Sequence, residues 1–266
     1  MPPTALNWPL AELRAVLAGP WPDAVLEARA EVDSTNSELM RRIRAGDRRP
    51  TLLVAETQTA GRGRLGRGWQ CGNGEPGGAL AFSLAVPLAP RDWSGLSLAV
   101  GLSLAESLHP EIRLKWPNDL WCQGRKLAGV LVETAGGGGA SEASRQVVIG
   151  VGLNIAPLSG EGFSTPPMWL QELLPGIDAP SALARVVGPL AQAVRAFAEQ
   201  GFAPLAARFN ARDALGGLPV RLSDGTEGVA RGVDAQGALR VQTAAGERLV
   251  HSAEVSVRPL ATAGGG

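Results

Sequence analysis

The sequence predicts an α+β fold, with strands and helices in a first unit over residues 1–215 and a small β-barrel over residues 216–262. Three observations predict it. Up to Asp213, apolar runs of strand length are interleaved with segments whose leucines recur at helical spacing. From Gly216-Gly217 onward the composition shifts to five short strand-like runs, parted by turns such as Ser223-Asp224-Gly225 and Asp234-Ala235-Gln236-Gly237. Apolar residues make up 45% of the chain and charged residues 19%, a balance that builds a packed core and argues against disorder.

Taken in order, Leu10, Leu13 and Leu17 place a helix over Pro9–Ala18, stopped by Gly19-Pro20. Val25–Val32 is a first strand. The polar run Asp33-Ser34-Thr35-Asn36-Ser37-Glu38 then caps a helix carried by Leu39, Met40 and Ile43 to Gly46. Thr51–Ala55 is a buried strand. Further strands are expected at Ala79–Val86, Ile112–Trp116, Leu127–Glu133 and Gln146–Ile155, with a flexible Gly136–Gly139 loop between the last two. Helices are expected at Leu96–Leu108, Leu183–Gln200 and Leu205–Asp213. The final Ala261–Gly266 is expected to fray.

Charge narrows the function classes. Lys+Arg and Asp+Glu are 25 each, so no global field draws the chain to nucleic acid or membrane. Between Met40 and Trp69, however, eight arginines face only Asp47 and Glu56, a local patch suited to an anionic ligand. Cys71, Cys122, His109 and His251 lack metal-ligand spacing, so no metal site is expected, and both cysteines read as reduced thiols. The start carries no signal-peptide pattern and no apolar run reaches spanning length, so the expected compartment is the cytoplasm. Of the 25 basic residues only Lys115 and Lys126 are lysines. A chain so biased to arginine uses a compact, rotatable ammonium where chemistry asks for one.

The densest motif is Gly61-Arg62-Gly63-Arg64-Leu65-Gly66-Arg67-Gly68-Trp69, directly after the buried strand. Glycines let the backbone bend and approach a ligand closely, and guanidinium forks suit carboxylate or phosphate. The run formally contains G-x-G-x-x-G, but it continues into further glycines rather than a helix and has no acidic partner at the required distance, so it is not a dinucleotide fingerprint. Gly-Lys-Ser/Thr is absent as well, which excludes a Walker loop. Lys115-Trp116-Pro117-Asn118-Asp119 puts a cation, an amide and a carboxylate at a strand end, and Lys126 opens the next strand. Each piece alone reads equally as turn chemistry, and Ser34-Thr35-Asn36 reads equally as an N-cap or a ligand-holding helix start. Together they make a convergent anion site.

The arginine run, Lys115-Trp116-Pro117-Asn118-Asp119, Lys126-Leu127-Ala128-Gly129-Val130-Leu131-Val132-Glu133 and Gly150-Val151-Gly152-Leu153-Asn154 resemble the biotin–protein ligases, in that family's order, from about Ala30 to Pro259. The resemblance implies a class II aminoacyl-tRNA synthetase-like mixed sheet with helices, followed by an SH3-like barrel. It implies an enzyme that makes biotinyl-5′-AMP from biotin and ATP with Mg²⁺, then transfers biotin to a lysine of a biotin carboxyl carrier protein, the acetyl-CoA carboxylase subunit. By the same resemblance Ser34, Thr35, Asn36 and Gln58 hold biotin's ureido end, and Gly61, Gly129 and Gly152 belong to its bed. Arg62, Gly63 and Arg64 close over carboxylate and α-phosphate. Arg67, Trp69, Asn118, Asp119 and Asn154 serve the nucleotide, and Lys126 with Arg64 carries catalysis. Bifunctional members bear an N-terminal DNA-binding winged helix. So few residues precede Ala30 here that no repressor activity and no DNA partner are expected. Family members are monomers or dimers joined through sheet edges. Leu65 stands where some members have arginine. The rival readings are a lipoate-type ligase, a nucleotide-binding module without catalysis, and a nucleic-acid binder using the arginine patch.

Overall fold

The computed structural model describes residues 5–69, 75–135, 144–158, 165–251 and 256–260. Cys71, the Gly136–Gly139 loop and the 261–266 tail lie outside the described residues. The chain runs α1 (Leu10–Ala18), β1 (Val25–Val32), α2 (Thr35–Arg44), β2 (Thr51–Gln58), β3 (Ala79–Leu88), α3 (Leu96–Leu108), β4 (Arg113–Lys115), β5 (Asp119–Cys122), β6 (Arg125–Ala135), β7 (Arg145–Asn154), α4 (Ala179–Gln200) and α5 (Ala206–Ala211). The strands β8 (Pro219–Leu222), β9 (Glu227–Val233), β10 (Leu239–Thr243), β11 (Gly246–Val250) and β12 (Val257–Pro259) follow.

The first seven strands form one sheet in the order β1-β2-β3-β7-β6-β5-β4. Only β1 and β2 pair in parallel, as the crossover helix α2 between them requires, and the other neighbours are antiparallel. The mixed α+β sheet expected from the sequence is therefore present, and the last five strands make a second, antiparallel sheet ordered β11-β10-β9-β8-β12. Helix α3 is buried at ten of its positions because it lies between the large sheet and α4, so its apolar residues need no polar face. Helix α4 starts four residues earlier than Leu183. The Asp178 carboxylate accepts the Ser181 N–H at 2.8 Å and Pro180 tolerates the first turn, two start signals that the leucine spacing does not contain.

One element was not expected. Asp119–Cys122 is a strand of its own, hydrogen-bonded between β4 and β6, where the sequence reads as a turn. The turn is there too, at residues 116–118 directly ahead of it, but four residues are too short a run to show periodicity. The arginine patch also changes character in three dimensions. On α2, Arg41 pairs with Asp33 and Glu38, and Arg42 with Glu38 and Glu27. Much of the patch is thus balanced locally, and the arginines that face the cleft are those of the loop.

The two sheets share their packing. Trp116, fully buried, donates its indole N–H to the Gly237 carbonyl at 3.1 Å, and Asn210 exchanges hydrogen bonds with both backbone groups of Val233. A side chain on Gly237 would run into Leu98 of α3, and the apolar core continues from α3 and α4 through Val220, Leu222 and Val241. Asp213 sits at this junction. Its Oδ1 accepts the Leu215 N–H at 2.9 Å, its Oδ2 is buried without a partner, and burial pushes the carboxyl up from 3.8 to about 6. A carboxyl raised in the folded state costs stability once it ionises, so the penalty grows as pH rises from about 4 and is complete above 6. Asp213→Asn keeps the acceptor and removes the charge. It should raise unfolding free energy by roughly 2 kcal/mol at neutral pH and by nothing near pH 4, read from urea titrations at the two pH values.

Candidate functional site

A cleft of about 840 Å³ opens where the N-terminus of α2, the arginine loop, the β5–β6 region and the second sheet meet. Its floor is built from backbone. Gly150 and Gly152 on β7 and Gly129 on β6 face it, and at the two β7 positions another group lies where a side chain would stand. At Gly150 that is the buried Asn36 carboxamide and at Gly152 the Trp69 ring, while Gly129 has Lys126 Nζ and the edge of the same ring at ordinary contact distance.

One end of the cleft is a neutral polar network on the first turn of α2. Ser34 caps the helix by accepting the Ser37 N–H at 3.4 Å. Gln58 Oε1, at the end of β2, accepts the Thr35 N–H at 2.8 Å and lies 3.1 Å from the Thr35 hydroxyl. Ser83, buried on β3, has its Oγ 2.6 Å from Asn36 Oδ1 and 2.7 Å from Thr35 Oγ1. Because the amide oxygen only accepts, the serine proton goes to Asn36, and Thr35 is the donor toward Ser83 or Gln58. Asn36 Nδ2 reaches the Leu131 carbonyl at 3.3 Å and the Glu133 carboxylate at 3.0 Å. The helix start is therefore fixed to three strands at once.

The arginine run folds into a miniature hairpin. Arg62 and Gly68 are bridged, Gly63 donates to the Arg67 carbonyl at 2.7 Å and Trp69 to the Gly61 carbonyl at 2.8 Å. Leu65 takes a left-handed φ of 57° at the tip of the hairpin, is 58% exposed and does not line the cleft. Arg62 spans the mouth, pairing with Glu133 at 3.0 Å and touching the Ser37 hydroxyl. Arg64 is half-buried, and desolvation there lowers its affinity for the proton while the field of Asp119 raises it.

The other end is a cation cluster around one carboxylate. Lys126 Nζ is 2.7 Å from Asp119 Oδ1 and stands over the Trp69 ring at 5.5 Å. Lys115 lies 4.0 Å from Asp119 Oδ2 and 5.1 Å from the Trp121 ring, and burial pulls its ammonium below the usual lysine range. Arg67 of the loop and Arg258 of β12 add to the same field. This part of the cleft carries far more positive than negative charge. A polyanion is the ligand such an arrangement favours. Among the described residues no three His, Cys, Asp or Glu side chains stand close enough to share a metal ion.

The structure gathers most of the residues singled out from the sequence around this one cavity. Ser34, Thr35, Asn36, Gln58, Arg62, Gly63, Arg64, Arg67, Trp69, Asn118, Asp119, Lys126, Gly129 and Gly152 all line it. Two do not. Gly61 is at the base of the hairpin, where a side chain would strike the Trp69 carbonyl. Asn154 lies behind Lys126, donating to the carbonyls of Lys126 and Met168, with its Oδ1 buried and unpartnered. Asn118 lines the cleft but spends its amide on the Val130 carbonyl at 2.8 Å, pinning the turn to β6. Sequence reasoning missed Ser83, Trp121, Leu218 and Arg258. Ser83 is a lone polar residue in an apolar strand, a signal that was available. Arg258 has none, because it reaches the cleft only through the second sheet.

Comparison with known proteins agrees with this geometry. Residues 30–154 match the model of the biotin/lipoate A/B protein ligase family, and residues 216–258 that of the biotin protein ligase C terminal domain. The chain is 34% identical to the biotin–[acetyl-CoA-carboxylase] ligase of Paracoccus denitrificans, over 85% of this chain and 98% of that protein. It is 38% identical to the bifunctional ligase/repressor BirA of Escherichia coli over 79% of this chain, spanning 67% of that longer protein. Among solved structures, the biotin protein ligase of Aquifex aeolicus in complex with biotin and ATP superposes with a TM-score of 0.73 at 29% identity, covering 89% of this chain and 99% of the other.

Proposed function

The chain belongs to the biotin–protein ligase family, and on that footing we propose that it joins biotin to AMP at the expense of ATP and then passes the biotinyl group to a lysine of a biotin carboxyl carrier protein. The observation that carries the reading is the polarity of the cleft. A fixed, uncharged hydrogen-bonding end made by Thr35, Asn36 and Gln58 suits a ureido ring, and it is joined by a glycine floor to a cation cluster suited to carboxylate and phosphates.

The chemistry follows from charge. A carboxylate has to attack the α-phosphate, and the two repel. Lys126 and Arg64 neutralise both partners and the crowded transition state in this reading, Arg67 and Lys115 serve the rest of the triphosphate, and Asp119, which pairs with both lysines, keeps their ammonium groups in place. Asn118 and Asn154 act behind them, as braces for the turn and for β6. Among the described lining residues Asp119 is the one carboxylate and it is tied to lysine, so Mg²⁺ would be held through the nucleotide's own phosphates and would add positive charge there. The hairpin over the cleft shields the mixed anhydride from water.

In this reading residues 1–215 bind biotin and nucleotide, and residues 216–262 supply Arg258 and the rim that a carrier domain meets. The reaction belongs to the cytoplasm, where ATP and carrier coexist, and no step of it involves DNA. The test is exchange of labelled pyrophosphate into ATP, with biotin, lipoate and octanoate run side by side. Exchange with biotin alone is expected. Exchange with lipoate would keep the fold and chemistry and replace the ring end, and silence with all three acids would end the enzymatic reading.

A further inference from the structure

The cleft as described poses a problem of self-attack. If the functional reading is right, an activated acyl group is made beside Lys126, and a neutral ε-amine is the nucleophile that such a group acylates. The chain holds only two lysines, and both stand in this cleft. Both are also grouped around a single carboxylate. Lys126 Nζ donates to Asp119 Oδ1 at 2.7 Å, and Lys115 lies 4.0 Å from Asp119 Oδ2, its side chain 13% exposed.

We propose that Asp119 is a positioning residue that keeps Lys126 an ammonium, and so protects the enzyme from being biotinylated by its own intermediate. An ammonium hydrogen-bonded to a carboxylate has no lone pair to offer, yet its charge remains available to the phosphates. Without Asp119, Lys126 would lose the carboxylate it is bonded to in a cleft that Arg64, Arg67 and Lys115 also line, and like charges favour the neutral amine. The side reaction then balances simply. The neutral Lys126 Nζ forms an amide with the biotinyl carbon, the bond from that carbon to the phosphate oxygen breaks, AMP leaves with the electron pair, and the one proton the amine gives up goes to solvent.

The inference rests on the functional reading, so its test starts from biotinyl-5′-AMP supplied ready-made, which bypasses adenylation. Wild-type, Asp119→Asn, and Asp119→Asn with Lys126→Arg are each incubated with the adenylate, then subjected to intact-mass measurement and peptide mapping. Parallel samples receive a carrier domain. Asp119→Asn should gain one biotinyl group at Lys126 at least about tenfold faster than wild-type, the counterpart of removing a charge-assisted bond. The double variant should stay unmodified at that position. Asp119→Asn that binds the adenylate but remains unmodified at Lys126 would overturn the protective role and leave the functional reading standing. So would wild-type acylated at Lys126 at the same rate. Wild-type that neither retains the adenylate nor transfers it to the carrier would overturn the reading and the role together. A merely structural role for Asp119 would lower transfer without directing acylation to Lys126.

Discussion

Lys126→Ala should lower the rate of biotin-dependent pyrophosphate exchange by roughly two to three orders of magnitude, while weakening biotin binding by less than about tenfold. The asymmetry follows from where the charge is needed. The hydrogen bonds of the neutral end, through Thr35, Asn36 and Gln58, are formed without Lys126 and persist in the variant. The attack of carboxylate on phosphate loses the cation that sits 2.7 Å from Asp119 and above Trp69. The loss would fall on kcat, since the developing charge is largest in the transition state. Lys126→Arg should not restore it. A planar fork above an indole points its donors elsewhere than a rotatable ammonium does. Exchange kinetics together with calorimetric titration of biotin decide the matter, and equal losses in both would assign Lys126 to ground-state binding.

Gly150→Ala should be nearly as damaging and by a different route. Its backbone is open to alanine, but the added carbon would overlap the Asn36 carboxamide, with Asn36 Cγ only 2.8 Å away. Asn36 has no slack, because it is buried and bonded to Ser83, Leu131 and Glu133. Either the side chain leaves this network and strands those partners, or the start of α2 lifts from the sheet. The expected cost is about 2–4 kcal/mol of stability, with a loss of biotin affinity of roughly a hundredfold or more. Thermal unfolding and biotin titration measure the two effects separately. Gly150→Ala with unchanged biotin affinity would show that Asn36 is a brace and not part of the ring site.

The sequence made some of this legible for identifiable reasons. Strands β2, β3 and β7 are apolar runs bounded by turns, and buried central strands look like that from sequence alone. The loop, Lys115, Asp119 and Lys126 were visible because their residue types are costly to place without a purpose. What sequence could not show is direction. Asn36 and Asn154 are both buried asparagines, yet one lines the cleft and the other spends its amide outside it on the carbonyls of Lys126 and Met168. Strand β5 was hidden because four residues between two turns carry no period. The neutralisation of Arg42 on α2 draws on Glu27 from β1, a partner that only folding brings near.

The shared packing of the two sheets has a mechanical consequence. Trp116 is anchored to Gly237, Asn210 to Val233, and a single apolar mass fills the space between, so the cleft is framed by one stiff body rather than by two jaws. Ligands the size of a nucleotide cannot be admitted by swinging the halves apart. The glycine-rich hairpin, joined across its own strands by the Gly63–Arg67 and Trp69–Gly61 backbone bonds, is the smaller element at the opening and the one expected to open locally. Calorimetry of the whole chain should accordingly record one melting transition, and the rhythm of turnover should be set by the hairpin alone.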